Sequence, residues 1–392
     1  MWLNSILYIW FLLKMKIFKL LNDFFESEKS GGFTLIFCTL LSLLLANFVG
    51  ENYISFWHIQ LGQHSLEHWI NDGLMTIFFL LIGLELEREI YNGELSTLKS
   101  AMLPFAAAVG GMLLPAGLYL VLNYGTPTQS GFGIPMATDI AFAIGILSLL
   151  GNKVPTSLKI FLTALAVIDD LGAILVIAVF YTKTISFLYL GGAFAIMGIL
   201  FILNRKKVHH LLPYLIGGSL MWYCMLNSGV HATITGVLLA FVIPYGNGGK
   251  TTSSYRLQHF LHKPVAFFIL PLFAIANTGI AIDSNWQEGL AHANSIGIMA
   301  GLIVGKPIGI TLFAFLSVKL GIGSLPKELQ WKQILGAGML GGIGFTMSIF
   351  ITLLAFKNDG EAVITYSKMA ILVASFVSGT LGFLWLKMSL KK

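Results

Sequence analysis

The stretch Leu165-Ala166-Val167-Ile168-Asp169-Asp170-Leu171-Gly172-Ala173 sets two adjacent carboxylates in the middle of an apolar run from about Leu158 to Tyr181. The run is long enough to lie in lipid, where a spanning helix needs about 20 residues. A carboxylate at mid-membrane costs about 2.5–3.5 kcal/mol even on the lenient insertion scale. Two side by side cost more, because each disfavours the charge on the other. Such a pair persists only where something compensates it. A cation and protons would do so, and exchanging one for the other is the function that the pair implies.

Outward from this pair the chain is apolar almost throughout. Of its 392 residues, 56% are hydrophobic and only 11% charged, which marks an all-α polytopic membrane protein. No Gly-rich phosphate loop follows a strand, no zinc-ligand spacing occurs and no nucleic-acid module is visible. A secondary transporter without a cofactor fits this pattern better than an enzyme. Cys38 and Cys224 lie in apolar runs and read as small packed side chains. The 42 glycines suit close packing of helices.

Residues 1–30 read as an extension followed by an interfacial helix. Ile17, Leu20, Leu21, Phe24 and Phe25 fall at helical spacing, with Lys16, Lys19, Asp23 and Glu26 between them. A start at Met15, with the residues before it an addition, is the alternative. Twelve candidate spans follow, near 32–49, 70–91, 101–123, 132–150, 157–181, 186–203, 210–226, 229–245, 260–281, 295–319, 333–356 and 363–387. Between the first two, residues 57–66 alternate around Gly62-Gln63 and read as a short hairpin outside the membrane. With the N-terminus inside, twenty of the 24 Lys and Arg residues fall on the cytoplasmic side and three outside, and Lys306 lies within a span. The bias obeys the positive-inside rule, supports an even number of spans and puts both termini in the cytoplasm.

Asp139, Asp169, Asp170 and Lys306 lie deep in these spans. Ionisable groups in the membrane mark function by default. Lys306 could lock two helices by pairing with one aspartate, but it cannot neutralise three. The backbone near these residues is unusual as well. Asp139 follows Gly131, Gly133 and Pro135, and the eleventh span holds Gly336, Gly338, Gly341, Gly342 and Gly344. Proline removes a helix hydrogen bond, and each glycine costs about 1 kcal/mol relative to alanine. A span that begins at Pro135, and packing through small residues, are the plainer readings. Two interrupted spans in matching places of two halves point instead to a transport site between half-helices. Half-helix ends carry about half a charge each, which Asp139 and Lys306 are suited to offset.

Six segments carry a more specific signal. They are Phe78-Phe79-Leu80-Leu81-Ile82-Gly83-Leu84-Glu85, Ala137-Thr138-Asp139-Ile140-Ala141-Phe142-Ala143, the opening stretch, Ser228-Gly229-Val230-His231-Ala232-Thr233, Gly305-Lys306-Pro307-Ile308-Gly309-Ile310 and Gly342-Ile343-Gly344-Phe345-Thr346-Met347-Ser348-Ile349-Phe350. Together they resemble the NhaA-type bacterial sodium/proton antiporters, from about Met15 to the end of the chain. The resemblance implies twelve transmembrane helices in one domain, 31–392. Two inverted-topology repeats, a property of that family rather than a reading of this sequence, would cover about 101–181 and 295–387. Each would contain an interrupted helix, the two crossing near mid-membrane. An interface panel would cover about 32–91 and 186–281, and the 57–66 hairpin would bridge a homodimer in the bacterial inner membrane.

Carried over by position, the resemblance makes Asp170 the principal sodium ligand and Asp169 its partner, paired with Lys306 when sodium is absent. Thr138 and Asp139 would line the site. Carboxylate and carbonyl oxygens suit a hard cation such as Na⁺. The implied activity is electrogenic exchange of cytoplasmic Na⁺, and of Li⁺, for external H⁺. Control by pH would act through Glu85, Arg88, Glu89, Gln258, His259 and His262 at the cytoplasmic mouth. Gln258 stands where an acidic residue is usual, and Glu87 where a basic one can occur, so a shifted pH profile is expected. A same-fold exchanger for K⁺ is the near alternative. An intramembrane aspartyl protease is the distant one. It takes its two aspartates from separate helices, whereas Asp169 and Asp170 project about 100° apart on one helix.

Overall fold

The computed structural model describes residues 28–93, 96–182, 185–282, 286–357 and 359–390. Of residues 1–30, expected to form an extension and an interfacial helix, the first 27 lie outside them, and Glu28–Ser30 open the first helix. Among the described residues the protein is a bundle of helices with one small hairpin. α1 (Glu28–Phe48) and the short α2 (Glu51–Trp57) lead into β1 (Gln60–Leu61) and β2 (His64–Ser65), which pair antiparallel with Gln60 opposite Ser65. Gly62 turns the hairpin at φ 73°, a conformation open to glycine without steric cost.

Then come α3 (Leu66–Asn92), α4 (Leu98–Asn123), a tight 3-10 segment Pro127–Met136, α5 (Ile140–Leu149) and α6 (Thr156–Phe180). α7 (Phe187–Arg205), α8 (Leu212–Ser228), α9 (Ile234–Ala240) and α10 (Ser253–Asn277) follow. The chain ends with α11 (Trp286–Ala291), α12 (Ala293–Lys319), α13 (Trp331–Gly341), α14 (Phe345–Ala355) and α15 (Glu361–Ser389). Among the described residues, eight helices are long and apolar enough to cross a membrane, or ten if each bent pair is one span.

The expected spans near 210–226 and 229–245 are the two outside that set. They are α8, with 17 residues, and α9, with seven. Gly229 ends α8 at φ 84° in a left-handed cap, and Pro244, which has no N–H to donate, lies in the turns after α9. α9 lies backbone to backbone on α3. A Cβ on Gly236 would fall 2.2 Å from the Thr76 carbonyl oxygen.

Both interruptions foreseen in the sequence are present. The 3-10 segment and α5 meet at 42°, and α13 and α14 at 47°. Ala137 and Asp139 are extended between the first pair, and Gly342 to Gly344 separate the second. α4 and α12 fix the remaining wall by direct backbone contact. A Cβ on Gly110 would fall 2.3 Å from the Gly309 carbonyl oxygen, and one on Gly309 would fall 2.2 Å from that of Gly110. Just before Lys306, the turn Gly301–Gly305 widens to π geometry. Pro307 explains it, because its ring would clash with the carbonyl four residues back in a regular helix. One turn of α12 is thus reshaped where its lysine enters the core.

Candidate functional site

The two interruptions touch, and their freed backbone groups are satisfied across the contact. Asp139 donates its N–H to the Ile343 carbonyl at 2.6 Å. Its carboxylate accepts from the Phe142 N–H at 3.0 Å and the Thr346 N–H at 3.1 Å, and from the Thr346 hydroxyl. One side chain therefore caps two helix N-termini, those of α5 and α14. Each terminus carries roughly half a positive charge, so the pair matches a single carboxylate. Ser348 donates to the Ile134 carbonyl at 2.7 Å and closes the same junction.

The second charge cluster lies beside it. Asp169 and Lys306 are fully buried and paired directly through Oδ2 and Nζ. Thr138 sits between the elements. Its hydroxyl is 2.8 Å from Asp169 Oδ2, 2.8 Å from the Gly341 carbonyl and 2.8 Å from Lys306 Nζ. The hydroxyl has one proton, so it accepts from the lysine and donates either to the carboxylate or to the carbonyl that ends α13. Lys306 thus reaches the C-terminal end of that half-helix through Thr138.

Asp170 differs from both. It is fully buried, and among the described residues neither of its oxygens meets a hydrogen-bond partner; Asp169 Oδ1 has none there either. The helix explains the separation. Asp169 turns to Thr138 and Lys306, whereas Asp170 continues the stripe of Thr163 and Val167, seven and three residues before it. Those two residues line a cavity of about 480 Å³, together with Ile140 and Ala141 just past Asp139. The cavity runs from this deep end to Glu85, Arg88, Glu89, Gln258 and His262. A pocket of about 250 Å³ at that mouth adds Tyr255 and His259. His262 Nδ1 is 3.7 Å from Glu85 Oε1, Arg88 lies 5.5 Å from the Tyr255 ring centre, and Tyr255 stacks on His259 at 6.1 Å.

The residues expected to bind the ion or respond to pH therefore fall into two places, the junction and the mouth, and the cavity runs from the mouth to Ile140, Ala141, Thr163 and Val167 beside the junction. Thr346 was missed. The signal for it was a hydroxyl directly after a glycine-rich break, where a half-helix must begin. Thr163 and Val167 were missed too, though helical spacing from Asp170 points to them. The carbonyls of Gly341 and Ile343 carry no side-chain signature.

Two broken helices in contact, a buried carboxylate pair with a lysine, and a cavity that ends beside them belong to a polytopic membrane transporter. The family described as Na⁺/H⁺ antiporter 1 matches residues 22–386, and the chain belongs to it. It is 67% identical to the Na(+)/H(+) antiporter NhaA 1 of Flavobacterium johnsoniae, over 95% of this chain and 98% of that one. Identity to the NhaA of Flavobacterium psychrophilum is 66%, over 96% and 98%. For the NhaA of Vibrio campbellii it is 48%, over 95% and 96%.

Proposed function

We propose that this protein exchanges cytoplasmic Na⁺, and also Li⁺, for external H⁺ in the bacterial inner membrane, with Asp170 as the principal cation ligand. The observation that carries the reading is the contrast within one helical turn. Asp169 is paired with Lys306, while the adjacent buried Asp170 has no donor among the described residues. A carboxylate in that setting is stable when it holds a proton or a cation, and it holds the two in competition. Deprotonation admits Na⁺, and protonation from the other side releases it. Thr138, Asp169 and Asp139 complete the site, and Lys306 holds Asp169 when Na⁺ is absent.

Two carboxylates against one monovalent ion imply more than one proton per sodium, hence electrogenic exchange. Control by pH acts at the mouth through Glu85, Arg88, Glu89, Gln258, His259 and His262. The same reading takes twelve spans in the domain 31–392, with inverted repeats over about 101–181 and 295–387, a panel over about 32–91 and 186–281, cytoplasmic termini, and a homodimer joined through the 57–66 hairpin. Exposed Ile59 and Leu61 at that hairpin suit such a contact.

The test is proton movement in everted vesicles, read with a pH-sensitive dye. Na⁺ and Li⁺ should each dequench it and K⁺ should not. A response to K⁺ alone would replace sodium as the cargo. Reconstituted protein should give a transport current under a sodium gradient, and silence there with active exchange would make the exchange electroneutral.

A further inference from the structure

Outside the transport site, a separate cavity of about 690 Å³ lies between the end of α3, the end of α7 and the turns after α9. Its lining carries a buried anion and exposed cations. Glu87 is buried at 4% exposure and accepts from the Ser254 hydroxyl at 3.3 Å. Arg205, Lys207 and His209 line the same cavity and are exposed. Arg205 is held over the Phe201 ring at 5.1 Å. Tyr91 and Tyr245 pack against each other at 4.9 Å in the same lining.

An anion alone would meet Glu87, and a cation alone would meet Arg205 and Lys207. A group that carries both charges, cation inward and anion outward, matches the order of the lining. Aromatic faces beside Glu87 suit an ammonium as well. Phe201 and Phe241, both exposed apolar side chains, extend the cavity on to the outer surface of the helices. That continuity favours a headgroup with acyl chains over a soluble molecule.

The backbone gives an independent sign. Among the described residues, Lys207 is the one non-glycine with positive φ, at 57°. It occupies the left-handed cap of α7, closed by Val208 N–H to the Leu203 carbonyl at 3.1 Å and Lys207 N–H to the Asn204 carbonyl at 2.8 Å. Glycine is the usual residue there. A lysine kept in that conformation places its ammonium on the rim at a cost in strain.

We propose that this cavity binds the phosphoethanolamine headgroup of a membrane lipid, with the ammonium against Glu87 and the phosphate against Arg205 and Lys207. The experiment uses the delipidated full-length protein in detergent. Native mass spectrometry and thermal unfolding are followed with added phosphatidylethanolamine, phosphatidylcholine or phosphatidylglycerol, and with soluble phosphoethanolamine. The ethanolamine lipid should bind about tenfold better than the other two. Glu87→Gln should erase that preference while leaving phosphatidylglycerol binding intact. Lys207→Gly should leave the lipid-free protein at least as stable, because glycine fits the cap, yet weaken binding of the ethanolamine lipid. If Glu87→Gln does not fold, Lys207→Gly and Arg205→Ala carry the test alone. Equal binding of all three lipids, an unchanged preference in Glu87→Gln, or equal protection by soluble phosphoethanolamine would each overturn the assignment.

Discussion

Asp139 and Asp170 are both carboxylates buried between the same helices, and they are served in opposite ways. Asp139 receives three donors from two half-helices. Asp170 receives none among the described residues. The first is compensated by the fold and the second is not. A buried charge is tolerated when paired and costs several kcal/mol when not, so, on the function proposed above, the difference separates the residue that holds the junction from the principal cation ligand.

The largest effect should come from Asp170→Asn. The substitution keeps the shape and removes the charge that a cation needs. Exchange should fall by more than about a thousandfold, equivalent to roughly 4 kcal/mol, as measured by sodium-driven proton movement in proteoliposomes. Thermal stability should be unchanged or higher, since an unpaired buried acid is gone. Wild-type rates in this variant would remove Asp170 from the site.

Lys306→Ala breaks the other half of the pair. It strands Asp169 in a buried position, for which a loss of about 3–5 kcal/mol is typical. Lowered unfolding temperature and lost exchange should appear together. Adding Asp169→Ala should restore part of the stability but none of the exchange, because the two residues are coupled and their effects do not add. A double variant as unstable as the single one would mean that Lys306 acts on something other than Asp169.

Asp139→Ala comes next. It uncaps two helix N-termini, each cap being worth about 1 kcal/mol, and it leaves buried donors without acceptors, so a loss of roughly 2–4 kcal/mol is expected. Asp139→Asn should recover much of it, because an amide oxygen can still accept. If Asp139→Asn folds normally and yet loses exchange as completely as Asp170→Asn, Asp139 serves the ion as much as Asp170 does and the contrast drawn above fails.

What the sequence disclosed about these residues has a physical limit. Charges in an apolar run stand out against their surroundings, so Asp139, Asp169, Asp170 and Lys306 were legible without coordinates. Both helix breaks were legible as well, from Pro135 and the glycines before Phe345. The division of labour between Asp139 and Asp170 was not. It depends on Thr346, 207 residues from Asp139, and on carbonyls of Gly341 and Ile343 that any residue would offer. The shortness of α9 was hidden for a different reason. Residues 229–245 are apolar through helix and turn alike, and hydropathy does not report where regular hydrogen bonding stops. Helical geometry did contain the split between Asp169 and Asp170, but only the packing of α12 and the 3-10 segment decided which of the two met the lysine.

The smallest effect should lie at the mouth. His262 faces Glu85 at 3.7 Å and its side chain is 68% exposed. An ion pair so open to water contributes about 0–1 kcal/mol, so His262→Ala should leave the unfolding temperature within error of wild type. Its influence would be on the pH profile. Imidazole attracts a carboxylate only while it is protonated, so the contact with Glu85 is stronger at low pH than at high pH. If that contact restrains the mouth, wild-type exchange should increase as pH rises, and His262→Ala should begin at lower pH by less than about one unit, the equivalent of 1.4 kcal/mol. Dye dequenching in everted vesicles, stepped through neutral pH, measures both curves. Superimposed profiles would confine pH control to other groups at the mouth, Arg88, Glu89 and His259 among them, and a wild-type rate flat with pH would remove the mouth from regulation altogether.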